Sequence, residues 1–180
     1  MSKDLHLRPA TSEDMAHVQE IYALEVLGGV VSFELEPPDV NEMRRRFQVA
    51  REAGYPYLLA SMGTRVAGYA YAGPYRPRPA YRFTVENSVY VAPWARRRGV
   101  ASRLLEALIS ECQALPFRQM VAIIGDSDNA ASIELHRKAG FRLVGTLRGV
   151  GYKFDRWLDT VIMQRALGPA RATGLSPKRT

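Results

Sequence analysis

Three consecutive arginines, Arg96 to Arg98, stand directly before Gly99 and the start of an apolar-periodic segment. The first turn of a helix has unpaired backbone N–H groups and about half a positive charge, and both favour a bound anion. Gly99 lets a ligand approach the backbone, Ala101 keeps the first turn small, and arginines add charge-assisted hydrogen bonds. The segment therefore predicts a cradle for a diphosphate, and a solvated basic turn is the alternative.

A second residue with chemical potential is Glu86, an acid in the otherwise apolar, β-rich segment "TVENSVYV". It follows the segment "PYRPRPAY", residues 74–81, whose three prolines predict a stiff loop that carries arginines. From strand alternation alone, a charge that faces solvent is the favoured interpretation of Glu86. A general base beside a basic binding loop is the alternative.

The composition bounds what these residues can belong to. The chain has 180 residues, of which 47% are hydrophobic and 24% charged, as expected for one globular domain. It has no run of 18 apolar residues, and "MSKDLHLRPA" has no apolar core, so neither a membrane span nor a secretory signal is expected. Cys112 is the single cysteine, which excludes an internal disulfide and predicts a cytoplasmic protein.

The charge and the histidines argue against two further classes. The net charge is +7, but the basic residues form separate clusters at 44–46, 76–82, 96–98 and in the C-terminal tail. A nucleic-acid-binding module, which needs a continuous basic surface, is therefore a less favoured alternative. His6, His17 and His136 are scattered, and with one cysteine they predict no metal site.

The pattern of the whole chain predicts one α/β domain, because strands and helices are mixed throughout. Helices are expected at 11–29, 39–54, 99–114 and 129–140, and strands at 5–10, 55–62, 66–73, 82–93, 119–125 and twice within 141–167. Cys112 falls on the buried stripe of the third helix and is expected to be a small core residue.

Two ordered signatures resemble those of one enzyme family. "RRRGVA" fits the pattern Arg/Gln-x-x-Gly-x-Gly/Ala, which binds the acetyl-CoA pyrophosphate in GNAT-type N-acetyltransferases, and "NAASIELHRKAGF" resembles the family's later cofactor-contacting helix. Longer stretches, such as "YAGPYRPRPAYRFTVENSVYV", are similar to the phosphinothricin and methionine sulfoximine acetyltransferases. The resemblance covers about Leu7 to Leu167. It implies a single GNAT domain, residues 5–167, with a mixed central sheet flanked by helices, followed by a disordered basic tail, residues 168–180.

The resemblance also implies an activity. Members of this branch transfer acetyl from acetyl-CoA to the α-amine of small amino acids that bear a phosphinyl, sulfoximine or sulfone side chain, which implies a role in detoxification. Acetylation of protein N-termini or lysines is the alternative, but it needs an open groove, and the proline-rich loop is expected to close a small pocket. One departure is visible, since the branch usually has Gly where this chain has Asp155, and we expect Asp155 to alter the end of the cleft.

Acetyl transfer needs a neutral amine, and an alkyl amine with a pKa of ~10.4 is neutral in only about one molecule in 2,500 at pH 7. By its position in the branch, Glu86 is implied as the general base. His136 stands seven residues after Asn129, where many members have a tyrosine that protonates the thiolate of coenzyme A. It is the second catalytic candidate, as an acid or a second base, and a half-buried histidine on a helix face is the alternative.

The resemblance assigns the binding residues as two sets and implies no metal. The expected cofactor contacts are Val89, Tyr90, Val91, Arg97, Arg98, Gly99, Val100, Ala101, Ser102, Asn129 and Ser132. The expected substrate contacts are Tyr75, Arg76, Pro77, Arg78, Arg82, Val85, Glu86 and Asn87.

A homodimer is also expected, because the resembling branch is dimeric. Tyr152, Phe154 and Trp157 cluster in a late strand region, and aromatic residues of this kind often lie at interfaces. A monomer with these rings in its core is the alternative.

Overall fold

The computed structural model describes residues 5–168, and within them strands and helices alternate as the sequence predicts. The helices are α1 (Met15–Gly28), α2 (Val40–Glu52), α3 (Val100–Gln113) and α4 (Ala130–Lys138). The strands are β1 (Leu5–Pro9), β2 (Tyr57–Met62), β3 (Arg65–Pro74), β4 (Thr84–Val91), β5 (Gln119–Gly125), β6 (Arg142–Lys153) and β7 (Arg156–Ala166). The tail expected to be disordered lies outside the described residues, apart from Gly168.

The seven strands form one mixed sheet in the order β1-β2-β3-β4-β5-β7-β6. All neighbours are antiparallel except β4 and β5, which run parallel and pair from Thr84↔Gln119 to Asn87↔Ala122. Both strands continue beyond the last pair, β4 to Val91 and β5 to Gly125. The sheet therefore opens between its two central strands, which positions the candidate site.

Side-chain hydrogen bonds mark the short 3-10 helix Ser12–Asp14 that leads into α1, and the start of α2. The Asp14 carboxylate accepts from the Thr11 amide at 2.8 Å and from both terminal nitrogens of Arg8 at 2.7 Å. The Arg8 hydrogen bonds hold the pKa of Asp14 below its usual value. Asp39 caps α2 by accepting from the Glu42 amide at 2.8 Å.

Two helices cover each face of the sheet. Tyr69 of β3 and Tyr90 of β4 face α1, while Gly68 of β3 lies under Leu104 of α3. The predicted stripe of α3 is buried, and Cys112 has no exposed surface. Burial raises the pKa of this thiol to about 12, so it remains protonated and acts as a core residue.

The proline-rich segment between β3 and β4 is a loop with a short 3-10 helix at Pro79–Tyr81. It begins directly at the end of β3 and leads back into β4 two residues before Glu86, so it lies beside that acid. None of the described helices combines the length and the apolar content needed to cross a bilayer.

Candidate active site

A cleft of about 710 Å³ lies along β4 beyond its last pair with β5 and extends between α3 and α4. Its volume lies within the range of about 300–1,000 Å³ that is typical of small-molecule sites. Glu25 of α1 and Tyr90 of β4 border it together with residues of α3 and α4. Since α1 lies on the opposite face of the sheet from α3, residues from both faces border the cleft.

The predicted cofactor residues are brought together here, although most are far apart in the sequence. Those that line the cleft are Val89, Tyr90, Val91, Arg97, Gly99, Val100, Ala101, Ser102, Asn129 and Ser132. Arg98, also predicted, does not line it, and its side chain is exposed.

The turn before α3 has a backbone suited to an anion. Arg97 and Gly99 have positive φ angles, 60° and 79°, and Arg98 between them does not. Backbone that alternates in hand in this way turns successive N–H groups to one side and forms an anion-binding concavity. No atom lies within 4 Å of the position that a Cβ of Gly99 would occupy, so the space beside the turn is open. The unpaired N–H groups of the first turn of α3 add to the same site.

The second feature of the cleft is the free edge of β4. Val89 and Val91 pair with Ala70 and Gly68 of β3 on one side, but β4 has no partner on the β5 side beyond Asn87. Backbone donors and acceptors on this edge are therefore available to an extended ligand that lies between the strands.

Several residues that line the cleft were missed by the sequence. Glu25, 11% exposed at its side chain, pairs with Arg96 and so ties α1 to the arginine turn. Val31, Leu135 and Lys138 also border the cleft. An acid on the buried side of α1 was the available signal for Glu25, whereas the others depend on how separate elements pack.

Glu86 is half-buried on β4, and its carboxylate has no hydrogen-bond partner within residues 5–168. Burial raises the pKa of Glu86, and the nearby positive charge of Arg76 opposes that rise. Strand alternation places Glu86 on the α1 face, the same face as Tyr71, whose β-sheet partner is Ser88. The carboxylate is therefore both accessible and more basic than an ordinary glutamate.

His136 is 5% exposed, so it is buried, not half-buried as the alternative interpretation held. Its Nδ1 lies 2.8 Å from the Ser132 carbonyl oxygen, and its Nε2 lies 3.0 Å from Asn87 Oδ1. Burial lowers the pKa of His136, and the Ser132 carbonyl opposes the change. Asn87 points to the face opposite Glu86, so the two predicted catalytic side chains lie on opposite faces of β4 and do not contact each other.

A small cavity of about 50 Å³ lies between the two separated strands. His136, Asn87 and Ser88 line it, together with Ile124 and Gly125 of β5. The histidine therefore borders the opening in the sheet from the α4 side.

The structure corrects two of the predicted substrate contacts. The side chain of Val85 is fully buried in the core and cannot touch a substrate. Asn87 is 6% exposed, and both ends of its amide bind protein groups. Both residues alternate with Glu86 along β4 and so point away from its face.

The other predicted substrate residues lie on the loop that connects β3 and β4. Arg76 stacks over the Tyr75 ring at 5.0 Å, and Arg82 donates to the Pro79 carbonyl oxygen at 3.1 Å. Pro77 and Arg78 are exposed. Of these cations, Arg76 acts electrostatically on Glu86, which places it beside the candidate base.

The segment between α1 and α2, residues 29–39, closes the α1 side of the opening. Lys153 of β6 is buried and donates to the Ser32 carbonyl oxygen at 2.8 Å, and the Tyr22 and Ser32 hydroxyls are also 2.8 Å apart. The Phe33 ring fills the space where Gly151 has no Cβ. This cover was not predicted, because it depends on contacts between distant parts of the chain.

Comparison with known proteins agrees with this arrangement. The acetyltransferase (GNAT) domain family matches residues 7–162. A phosphinothricin N-acetyltransferase of Alcaligenes faecalis is 48% identical over 167 residues, which cover 93% of this chain and 85% of that protein. An L-methionine sulfoximine/L-methionine sulfone acetyltransferase of Pseudomonas aeruginosa is 40% identical and matches over 92% of this chain and 96% of its own length.

A crystal structure extends the agreement to three dimensions. The phosphinothricin acetyltransferase of Sinorhizobium meliloti, solved in complex with acetyl-CoA, superposes with a TM-score of 0.90 at 43% identity and covers 98% of this chain and 97% of that one. The predicted single-domain GNAT fold is thereby confirmed. The chain therefore belongs to the GNAT acetyltransferase family, in the branch of the phosphinothricin and methionine sulfoximine acetyltransferases.

Proposed function

We propose that the protein transfers an acetyl group from acetyl-CoA to the α-amine of a small amino acid that carries a phosphinyl, sulfoximine or sulfone side chain. The amine attacks the thioester directly while both substrates are bound. One observation carries the proposal: the cleft has an anion cradle at the start of α3 and runs along the free edge of β4, the strand that also carries Glu86. A role in detoxifying such amino-acid analogues follows from the same proposal.

The residues of the cleft suit acetyl-CoA, which when bound supplies an activated thioester carbonyl. The turn at Arg97–Gly99 offers N–H groups and space for a diphosphate. The free edge of β4 at Val89 and Val91 suits an amide-containing arm, and Asn129 and Ser132 flank it from α4. The Sinorhizobium relative holds acetyl-CoA in the same fold, which supports the assignment.

Glu86 is the group we assign to remove the proton of the amine, directly or through water. Its burial raises its pKa and so its affinity for a proton, and the positive charge of Arg76 opposes that rise. A positioned general base is typically worth about 10²–10⁴-fold in rate. His136 borders the same opening from the other face and is the second acid–base candidate.

The amino-acid side of the substrate needs cations for its carboxylate and its anionic side chain. Arg76 and Arg78 are exposed on the loop beside Glu86, and guanidinium groups pair with carboxylate or phosphinate in a bidentate manner. The segment 29–39 covers the opening on the same side, which favours a small acceptor over a protein chain.

Acetyl-CoA turnover across a panel of amines tests the proposal. The panel contains phosphinothricin, methionine sulfoximine, methionine sulfone, their parent amino acids methionine and glutamate, and a short peptide with a free N-terminus. We expect measurable kcat/KM for at least one of the three analogues and none for the peptide. Turnover of the peptide alone would move the function to protein acetylation.

Ligand-induced stabilisation tests the cofactor assignment separately. Acetyl-CoA at 100 times its Kd should stabilise the fold by about 2.7 kcal/mol. Gly99→Glu should remove this shift, since it adds bulk and negative charge to the cradle. Gly63→Glu is the matched control, because Gly63 also has a positive φ, 59°, and open space but lies in the β2–β3 turn. A folded Gly99→Glu protein that keeps the full shift would place the cradle elsewhere, and stabilisation by DNA in place of acetyl-CoA would favour a nucleic-acid-binding module.

We further propose that the protein is a symmetric homodimer. The edge strand β6 and the adjacent hairpin expose large apolar side chains: Leu143, Val144, Leu147, Val150, Tyr152, Phe154 and Trp157. Trp157 is 70% exposed, which argues against the alternative that these rings form the core of a monomer. An edge strand that exposes several large apolar side chains is the kind of surface that a second copy covers.

A further inference from the structure

A chain of three polar contacts runs behind the opening of the sheet, from one main-chain carbonyl to another. The Ser132 carbonyl oxygen of α4 lies 2.8 Å from His136 Nδ1, and His136 Nε2 lies 3.0 Å from Asn87 Oδ1. Asn87 Nδ2 in turn donates to the Val121 carbonyl oxygen of β5 at 3.1 Å. The chain therefore ties α4 to both central strands next to their last pair, Asn87↔Ala122.

When His136 is neutral, this series of three contacts has one N–H too few to make all of them hydrogen bonds. The carbonyl oxygens at its two ends can only accept, and the side-chain amide can donate from only one of its two ends. A neutral imidazole has one N–H, so it can serve Ser132 or Asn87 but not both. Turning the Asn87 amide over does not help, because its NH₂ would then face His136 and its oxygen would face the Val121 carbonyl. All three contacts become hydrogen bonds only when His136 carries a proton on both nitrogens.

Burial acts in the opposite direction. His136 is 5% exposed, and removal from water disfavours the charged imidazolium and lowers its pKa. The groups recorded in contact with the ring are Asn87 of β4, Ser132 of α4 and, at 5.1 Å, the Phe141 ring that precedes β6, and none of these is charged. The proton affinity of His136 is thus set by a balance between burial and the two acceptors.

We propose that Asn87 is a positioning residue that orients His136 and raises its affinity for the proton that acetyl transfer releases. This inference rests on the proposed function. An ammonium substrate loses two protons, and Glu86 is assigned the first, which leaves before attack. When the amine nitrogen forms its bond to the acetyl carbon and the carbon–sulfur bond breaks, the nitrogen loses the second proton, which His136 accepts and passes to the departing thiolate. The cavity of about 50 Å³ that His136 shares with Ser88 is large enough for a water molecule that would carry the proton.

Titration of His136 by NMR in the full-length protein tests the role of Asn87. In Asn87→Asp, a carboxylate replaces the amide next to the ring, and we expect the pKa of His136 to rise by about 1 unit or more. In Asn87→Ala one acceptor is lost, and we expect the pKa to fall. His136→Gln identifies the resonance, and the exposed His6 and His17 are internal references.

Asn41→Asp is the matched control, because it introduces the same charge at an exposed position of α2 and should leave the His136 titration unchanged. If the pKa of His136 is unaltered in Asn87→Asp, the proposal is overturned. This test does not depend on whether Asn87→Ala folds. If His136 acts as a base, kcat rises with pH as His136 loses its proton. The pH at which this rise occurs should shift with the pKa of His136 in the same variants. If the titration moves and this rise does not, the catalytic part of the proposal is wrong. The titration needs no substrate, so absence of acetyl transfer in the wild-type protein would contradict the proposed function alone.

Discussion

Glu86 carries the first prediction at the scale of single residues. Glu86→Gln keeps the shape of the side chain and removes its basicity, so kcat should fall by about 10²–10³-fold. Acetyl-CoA affinity should hardly change, because the cradle at Gly99 lies on the other side of the sheet. Raised pH should restore part of the rate, since more of the amine is then neutral. Steady-state kinetics from pH 6 to pH 10, under conditions where chemistry limits the rate, measure all three effects.

The raised pKa of Glu86 also predicts how the rate depends on pH. The base must be ionised, and its pKa lies above the ordinary value of 4.5, so the wild-type rate should fall as pH decreases through that raised pKa. Glu36→Gln, which removes an exposed carboxylate from the segment before α2, should leave kcat unchanged. A Glu86→Gln enzyme with the wild-type kcat at pH 7 would reduce Glu86 to a structural or orienting role.

The site residues that could be predicted from the sequence are those marked by a short local motif. Gly99 and Ala101 were assigned to the cofactor from a short local motif, and both line the cleft, while their contact with acetyl-CoA stays a prediction. Val85 and Asn87 were assigned to the substrate through the family resemblance, but strand alternation turns both to the face opposite Glu86. Glu25 could not be assigned, because its pairing with Arg96 joins residues 71 positions apart.

At the scale of elements, Asp155, which stands where the branch usually has Gly, lies in the hairpin between β6 and β7. Phe154 and Asp155 form its two-residue turn, and both have positive φ angles, 51° and 56°. Turns of this kind favour Asn or Gly, because other side chains are strained in the left-handed region. The departure thus concerns the conformation of an exposed turn that follows the buried Lys153.

Asp155→Gly should therefore stabilise the protein by about 0.5–1 kcal/mol, because relief of the strained φ exceeds the entropy that glycine adds to the unfolded chain. The free energy of unfolding in urea measures the effect. Asp155→Ala is the control: it keeps the Cβ, loses the polar side chain and should be less stable than the natural protein. Equal stability of the Gly and Ala variants would show that the turn is not strained at this position.

The elements themselves were largely predictable, because their signals are local. The apolar stripe of α3, for example, marked a helix that the structure contains. The extent of pairing between β4 and β5 was not predictable, since each strand continues past the point where they separate. The segment 29–39 carried no strong periodicity, and its position follows from contacts with Gly125, Gly151 and Lys153 on distant strands.

At the scale of the whole molecule, the open sheet explains why the two catalytic candidates are separated. β1 to β4 form one half of the sheet and β5 to β7 the other, and four residue pairs join them. Glu86 lies on the α1 face of β4 and His136 borders the opening from the α4 face, so the two candidates lie on opposite sides of the sheet. The same division places the exposed apolar residues of β6 at the far edge of the sheet, away from the cleft.

That far edge carries the last prediction. Light scattering at micromolar concentration should return about 40 kDa, twice the 20.1 kDa of one chain. Leu147 and Trp157 are exposed on β6 and β7, and the paired change Leu147→Glu and Trp157→Glu should shift the protein to the monomer mass, because two carboxylates would be buried without partners in a dimer. Leu24→Glu is the matched control, since Leu24 is a similarly exposed leucine on the outer face of α1. If Leu24→Glu dissociates the protein and the paired change does not, the interface lies on α1. A mass of about 20 kDa for the natural chain would exclude the dimer, and the apolar edge of β6 would then need a different partner to cover it.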